Sequence, residues 1–249
     1  MFVTVRGLVI RSVQYKEADR MLTVLTDKLG RVSVKARGVS RKNSPLASGA
    51  QLFCCSDMVL FEKDGRYTLN ELTVVEQFEG LRADIQSMAL ASYFADVLSF
   101  GEEEAAAEEN SELLRLALNC LYALSSGKYP HSAVKAAFEL RYLTVNGYAP
   151  DFDFCHNCGE ELEKGTAIAE KGEIYCENCH APYGTILQED AISSARHFTT
   201  CDLRKLLQVS LSAASAESLS QFSEKYLRAC LERHFKTLDF YNGLLSYRV

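Results

Sequence analysis

The sequence predicts an α+β chain of more than one domain. A small β-barrel over residues 1–80 is followed by an α-helical bundle over 81–249, with a four-cysteine zinc ribbon inserted at 150–182. Three observations carry that expectation. Apolar residues recur with a period of two through the first 80 positions, and with a period between three and four afterwards. A chain of 249 residues with 47% hydrophobic side chains can fill two ordinary cores, since domains mostly hold 100–150 residues. Two Cys-x-x-Cys pairs interrupt the helical pattern.

The strands come first. FVTVRGLVI, MLTVLT, GRVSVKARG, QLFCCSDMVLFEK and RYTLNELTVVEQF are β-branched or aromatic runs separated by turn signals, and Lys63-Asp64-Gly65-Arg66 reads as a hairpin turn. Five strands in about 80 residues suit a small closed barrel, because closure removes exposed edges. The OB-fold is the leading candidate.

Charge is unevenly spread along the chain. Residues 1–80 carry twelve lysines and arginines against nine aspartates and glutamates, a net +3, whereas residues 81–249 carry fifteen against twenty-four, a net −9. A basic module on an acidic protein points to a local anionic partner, with the remainder repelling that partner or offering itself to a basic one. Residues 30–44 concentrate Arg31, Lys35, Arg37, Arg41 and Lys42 without one acidic residue. Strand alternation sets Val32, Val34 and Ala36 on one face and Ser33, Lys35 and Arg37 on the other. The following VSRKNSPLASG has little apolar content and is expected to be a mobile loop presenting Arg41 and Lys42 beside the charged face. The result is a phosphate-binding track or, alternatively, a solvated strand face. Phe2, Tyr15, Phe53, Phe61 and Tyr67 are the aromatics available to stack on bases.

From residue 80 the helices begin. ADIQSMALASYFADVLSF places Ile85, Met88, Leu90, Ala91, Phe94, Val97 and Leu98 on one stripe, and SELLRLALNCLYALSSG and SAVKAAFELRYLTVNG repeat the pattern. Between the first two, EEEAAAEEN reads as a solvated, mobile connection or the first turn of a helix. Helices are expected again in EDAISSARHF, CDLRKLLQVSL and ESLSQFSEKYLRACLERHFKTL. The last reads as one long amphipathic helix with Leu219, Phe222, Tyr226, Leu227, Cys230, Leu231 and Phe235 on its apolar face.

The most specific motif is CHNCGEELEKGTAIAEKGEIYCENC. Cys155 and Cys158 are separated from Cys176 and Cys179 by 17 residues, the spacing of a zinc ribbon, in which each short knuckle supplies two thiolates to one tetrahedral ion. Gly159 follows the first pair, where a tight turn needs a permissive backbone. Four thiolates leave no position for water, so such a site is structural. His156 and His180 stand next to the ligands and are not required, and iron ranks behind zinc. Cys54, Cys55, Cys120, Cys201 and Cys230 lie in apolar surroundings and are expected in the core.

The motifs of several enzyme classes are missing: no Gly-x-x-x-x-Gly-Lys loop, no Gly-x-Ser-x-Gly elbow, no His-Glu-x-x-His pair, and no His-x-Glu with Pro-Cys-x-x-Cys. The expectation is a protein without catalysis. No secretory signal pattern and no stretch of roughly 18 apolar residues occurs, so a cytoplasmic location, with no membrane partner, is expected.

The run GLVIRSVQYKEADRMLTVLTDKLGRVSVKARGVSRKNS, and ELRYLTVNGYAPDFDFCHNCG with its Leu143, Gly147, Tyr148 and Pro150 leading into Cys155, resemble the bacterial RecO family over essentially the whole chain. That resemblance implies a DNA repair mediator of the RecF pathway, built as an OB-fold joined to a helical domain with a zinc element. It implies binding of single- and double-stranded DNA, annealing of complementary strands, and partnership with RecR. In some members it also implies contact with the tail of the single-stranded DNA-binding protein, during RecA loading onto gapped DNA. Some members lack part of the cysteine set, so the metal is not implied to be essential for activity. The family's DNA contacts are expected on the third strand and its loop, with Arg11, Lys16 and Arg20 preceding them. A second function class stays open: a zinc-ribbon protein-interaction module, such as a transcription or assembly factor, with the basic strand merely solvated.

Overall fold

A computed structural model of the chain describes residues 1–100, 107–179 and 181–246. The N-terminal strands are β1 (Phe2–Gln14), β2 (Arg20–Thr26), β3 (Arg31–Ala36), β4 (Cys55–Lys63) and β5 (Arg66–Glu76), and they close in the order β1-β2-β3-β5-β4. Closure is completed by a short parallel pairing of β3 with β5, while every other pair is antiparallel. The OB-type barrel is therefore present. Strand β1 serves two partners, pairing through Phe2–Leu8 with β4 and through Gly7–Gln14 with β2, with a bulge between Val9 and Arg11. Gly7 sits in the shared stretch, where a Cβ would come within 2.5 Å of Val24 Cγ1, so the inward crowding at this turn of the strand demands glycine. The β4–β5 hairpin turns at Asp64 and Gly65, both with positive φ, as the sequence had indicated.

Val5, Val9, Leu22, Val24, Val34, Ala36, Met58, Leu60 and Leu69 fill the barrel. Val39 and Ala50 join them from the β3–β4 connection. This connection, expected as a mobile loop, is instead a chain of turns tied down at several points. Ser40 N donates to the Ala18 carbonyl, Gly38 N to Asp19 Oδ1 at 2.8 Å, and Ala50 N to the Leu46 carbonyl. Its few apolar residues, placed near both ends, are enough to anchor it.

A 3₁₀ turn (Glu79–Ala83) leads to α1 (Ile85–Leu98), whose N-cap Asp84 accepts from the N–H groups of Gln86 and Ser87. Leu90, Ala91, Phe94, Val97 and Leu98 are buried as the stripe predicted, but Ile85 is 63% exposed because it opens the helix outside the packed turns. Of the glutamate-rich segment, Glu108 and Glu109 form the first turn of α2 (Ala107–Ser126), and residues 101–106 lie outside the described residues.

Further along are α3 (His131–Val145), the strands β6 (Gly165–Ile168), β7 (Glu173–Cys176) and β8 (Thr185–Leu187), and then α4 (Glu189–Thr200), α5 (Ala213–Leu231) and α6 (Lys236–Ser246). The three short strands form one sheet, β7-β6-β8. Two expectations are corrected here. CDLRKLLQVSL forms only a 3₁₀ turn at Leu203–Lys205. The long C-terminal helix is two helices, because Glu232 adopts a left-handed conformation (φ 47°) that ends α5. By contact density the chain divides into two compact units, Met1–Leu121 with Thr237–Val249, and Tyr122–Lys236. Among the described residues no helix is long and apolar enough to cross a membrane.

Candidate nucleic-acid interface and metal centre

The candidate metal centre is assembled by two knuckles. The first follows the isolated bridge between Phe154 and Glu161: Gly159 N donates to the Cys155 carbonyl and Cys155 N to the Glu160 carbonyl, a turn closed with Gly159 at φ 73°. The second begins at Cys176, the last residue of β7, and closes with Cys179 N donating to the Cys176 carbonyl. His156 N donates to the Ile174 carbonyl, which fastens the first knuckle to β7.

The ligand atoms of Cys155, Cys158, Cys176 and Cys179 all lie within 4.8 Å of one another, close enough to hold one metal ion. Cys158 Sγ and Cys176 Sγ are 3.8 Å apart. A tetrahedron with metal–sulfur bonds of about 2.3 Å has edges of about 3.8 Å, so the donor set fits such an ion. Burial pushes the Cys155 thiol up, but N–H groups of Cys176, Cys158 and Asn157 aimed at its sulfur bring it down to about 6. Cys158 receives the Glu160 N–H, yet the crowding sulfurs of Cys179, Cys155 and Cys176 leave it raised to about 12. Four adjacent thiols cannot all ionise against one another, and a cation at their centre removes the conflict. His156 faces Glu173 at 3.5 Å and stacks edge-on with Tyr175, and His180 lies outside the described residues.

Arg196 braces the first knuckle from outside it. From α4 its Nε donates to the Phe152 carbonyl at 3.0 Å and its Nη2 to the carbonyls of Leu162 at 2.6 Å and Asp153 at 3.3 Å, while it pairs with the Asp153 carboxylate at 2.9 Å. It fixes the backbone on both sides of the first knuckle. No sequence signal marks it, since Arg196 reads as an ordinary helical cation. Of the remaining cysteines, Cys54, Cys55 and Cys120 are buried, whereas Cys201 and Cys230 are only half-buried.

The barrel's cations divide by face. Across β1, β2 and β3, Arg11 stands opposite Thr23 and Thr23 opposite Ser33, while Val13 stands opposite Met21 and Met21 opposite Lys35. Directly opposed residues share a face, so Arg11, Val13, Met21 and Lys35 lie together on the outside of the sheet. Arg37 continues past Lys35 with the same parity. Arg11, Lys16, Arg37, Arg41 and Lys42 are exposed.

Three predicted cations are engaged or turned away. Lys35 lies 3.6 Å from Asp19 Oδ2. The Gly38 N–H and then this lysine hold the Asp19 carboxyl below its ordinary value. Arg31 Nη1 donates to the Leu98 carbonyl at 3.3 Å, which binds it to the end of α1. Arg20 pairs with Gln14 and Ala36 on the inward-facing set and is half-buried, its Nε without a hydrogen-bond partner. Among the aromatics, Phe53 is buried and Tyr67 half-buried, while Tyr15, Phe2 and Phe61 are exposed. Phe2 and Phe61 pack on each other across β1 and β4, at a ring separation of 5.2 Å.

Comparison with known proteins accounts for nearly the whole chain. The family model described as "Recombination protein O N terminal" matches residues 1–78, and "Recombination protein O C terminal" matches residues 82–239. Curated relatives named "DNA repair protein RecO" include that of Acetivibrio thermocellus, 30% identical over 248 residues and covering 98% of this chain and 97% of the relative. The protein of Bacillus pumilus is 29% identical over 100% of this chain and 96% of the relative, and that of Alkaliphilus metalliredigens 27% identical over 96% and 98%.

Proposed function

Because the chain belongs to the recombination protein O family of DNA repair proteins, we propose that it acts as a recombination mediator that binds DNA and performs no catalysis itself. The observation that carries this reading is the row of exposed cations, Arg11, Lys16, Arg37, Arg41 and Lys42, on and beside the outer face of β1, β2 and β3. Phosphate contacts of this kind supply affinity without reading sequence, which suits a protein acting at any gap. By neutralising phosphates of one strand the barrel lowers the repulsion that a complementary strand meets, so annealing is favoured.

In this reading residues 1–80 are the DNA-binding domain and residues 81–249 the partner-binding domain. The helical part would take RecR and, in turn, the tail of the single-stranded DNA-binding protein, so that RecA is loaded onto gapped DNA in the cytoplasm. Zinc held by Cys155, Cys158, Cys176 and Cys179 would fix the ribbon and supply no reactive position, since four thiolates close its coordination shell.

The test is annealing of complementary oligonucleotides by purified protein. Annealing is expected without ATP, without strand cleavage, and faster when RecR is absent or present alike than for protein lacking the five exposed cations. Annealing that requires nucleotide hydrolysis, or that survives removal of those cations, contradicts the proposal.

A further inference from the structure

The geometry points to Tyr15 as the group by which the barrel distinguishes unpaired bases from duplex, one ring on which a single base of single-stranded DNA stacks. The inference rests on the DNA-binding reading above and adds to it a preference that cations alone cannot supply. Tyr15 is 53% exposed, and Val13, two residues before it on β1, is 44% exposed beside Met21 and Lys35. An aromatic ring beside the exposed Val13, with the Lys16 and Lys35 ammoniums at its ring and the exposed Arg11 and Arg37 elsewhere on the same barrel, is the combination that takes a base on the ring and its phosphates on nearby charges.

The ring is held in advance. The Lys35 ammonium lies 5.0 Å from its centroid and is itself anchored 3.6 Å from Asp19 Oδ2, while the other oxygen of Asp19 accepts from Gly38 N at 2.8 Å. Tyr15 N donates to the Asp19 carbonyl at 3.0 Å, and Lys16 lies 5.8 Å from the same ring. The turn that carries the ring is therefore already ordered, and a stacking base would take the place of a lysine ammonium over the ring, freeing that cation for phosphate.

The other aromatics do not offer this arrangement. Phe53 is buried, and Phe2 and Phe61 sit on β1 and β4, where the nearby Arg6 is paired with Asp57 at 2.8 Å. Duplex DNA keeps its bases stacked inside, so it can use the cations but not the ring. Pairing during annealing would then strip each base from Tyr15 and loosen the protein's hold on the product.

The chain contains no tryptophan, so Tyr15→Trp introduces a single indole at the site in the full-length protein. Oligothymidylate should quench its emission, and a blunt duplex at equal saturation by anisotropy should not. Tyr15→Leu should weaken oligothymidylate binding about tenfold while duplex binding and the salt slope stay unchanged, and Tyr15→Phe should bind as the parent does. Emission unchanged at saturating oligothymidylate, or equal weakening of single strand and duplex by Tyr15→Leu, overturns the role of Tyr15 and leaves the cationic interface intact. Absence of any binding by the parent protein overturns both.

Discussion

Two thiols of the four-cysteine cluster are driven in opposite directions, Cys155 down to about 6 by backbone N–H groups aimed at its sulfur and Cys158 up to about 12 by the neighbouring sulfurs, and a shared divalent ion would let all four ionise together. Protein purified without chelators is therefore expected to hold close to one zinc per chain by elemental analysis. Cys158→Ala should release it and destabilise the 150–182 segment by several kcal/mol, because binding energy here is folding energy. Metal-free protein with an ordered ribbon would contradict this. A second residue sets acid sensitivity. Burial raises the Asp190 carboxyl, but the Ser215 hydroxyl and the Ser212 N–H, which it accepts at the start of α5, outweigh burial and hold it below its ordinary value. Its stabilising effect is complete above the unfolded value near 4 and disappears as pH falls through the lower folded value. Denaturation titrations should show a steeper loss of stability below about pH 4 in the parent than in Asp190→Asn. The cysteines were legible because their spacing is local, whereas Arg196 and Asp190 act on residues 34 and 25 positions away, which no local pattern records.

Among the elements, α3 and α5 are joined by a buried polar cluster. Lys135 is 2% exposed; its Nζ lies 3.1 Å from Glu139 Oε1 and 2.9 Å from Glu224 Oε2 and donates to the Ser220 carbonyl at 3.1 Å, while Ser223 donates to Glu139. Removing the Lys135 ammonium takes a neutralising charge from beside the buried Glu139 carboxylate. Lys135→Met should cost about 3–5 kcal/mol, against a far smaller loss for a surface lysine such as Lys225, as urea denaturation would measure. Equal losses would mean that the cluster is solvated in practice. Period and turn chemistry revealed most elements, including the five strands and the Asp64-Gly65 hairpin. They failed where a single backbone angle decides the outcome. Phe235 is buried at helical spacing from Leu231, yet Glu232 turns left-handed between them, and glutamate gives no sign of doing so. In the β3–β4 connection, Val39 and Ala50 were too sparse to look like anchors, although both reach the barrel core.

For the whole molecule the central feature is the separation of charge, +3 over residues 1–80 and −9 over the remainder. On the proposed reading, anionic DNA would be drawn to the barrel and repelled from the rest. Alternation foresaw which side of β3 carries Lys35 and Arg37; long-range pairing then decided how the cations are engaged, since Lys35 faces Asp19 and Arg31 donates to the Leu98 carbonyl. The most direct test is a salt-dependent anisotropy titration of single-stranded DNA with the parent and the Arg41→Ala/Lys42→Ala variant, on two unrelated sequences. Five phosphate contacts at about −0.7 each predict a slope of about −3.5 for log affinity against log salt, flattened by about 1.4 in the double variant and equally for both sequences, with the zinc retained. A folded double variant whose slope is unchanged would contradict the account, returning these cations to solvent and moving the DNA site elsewhere.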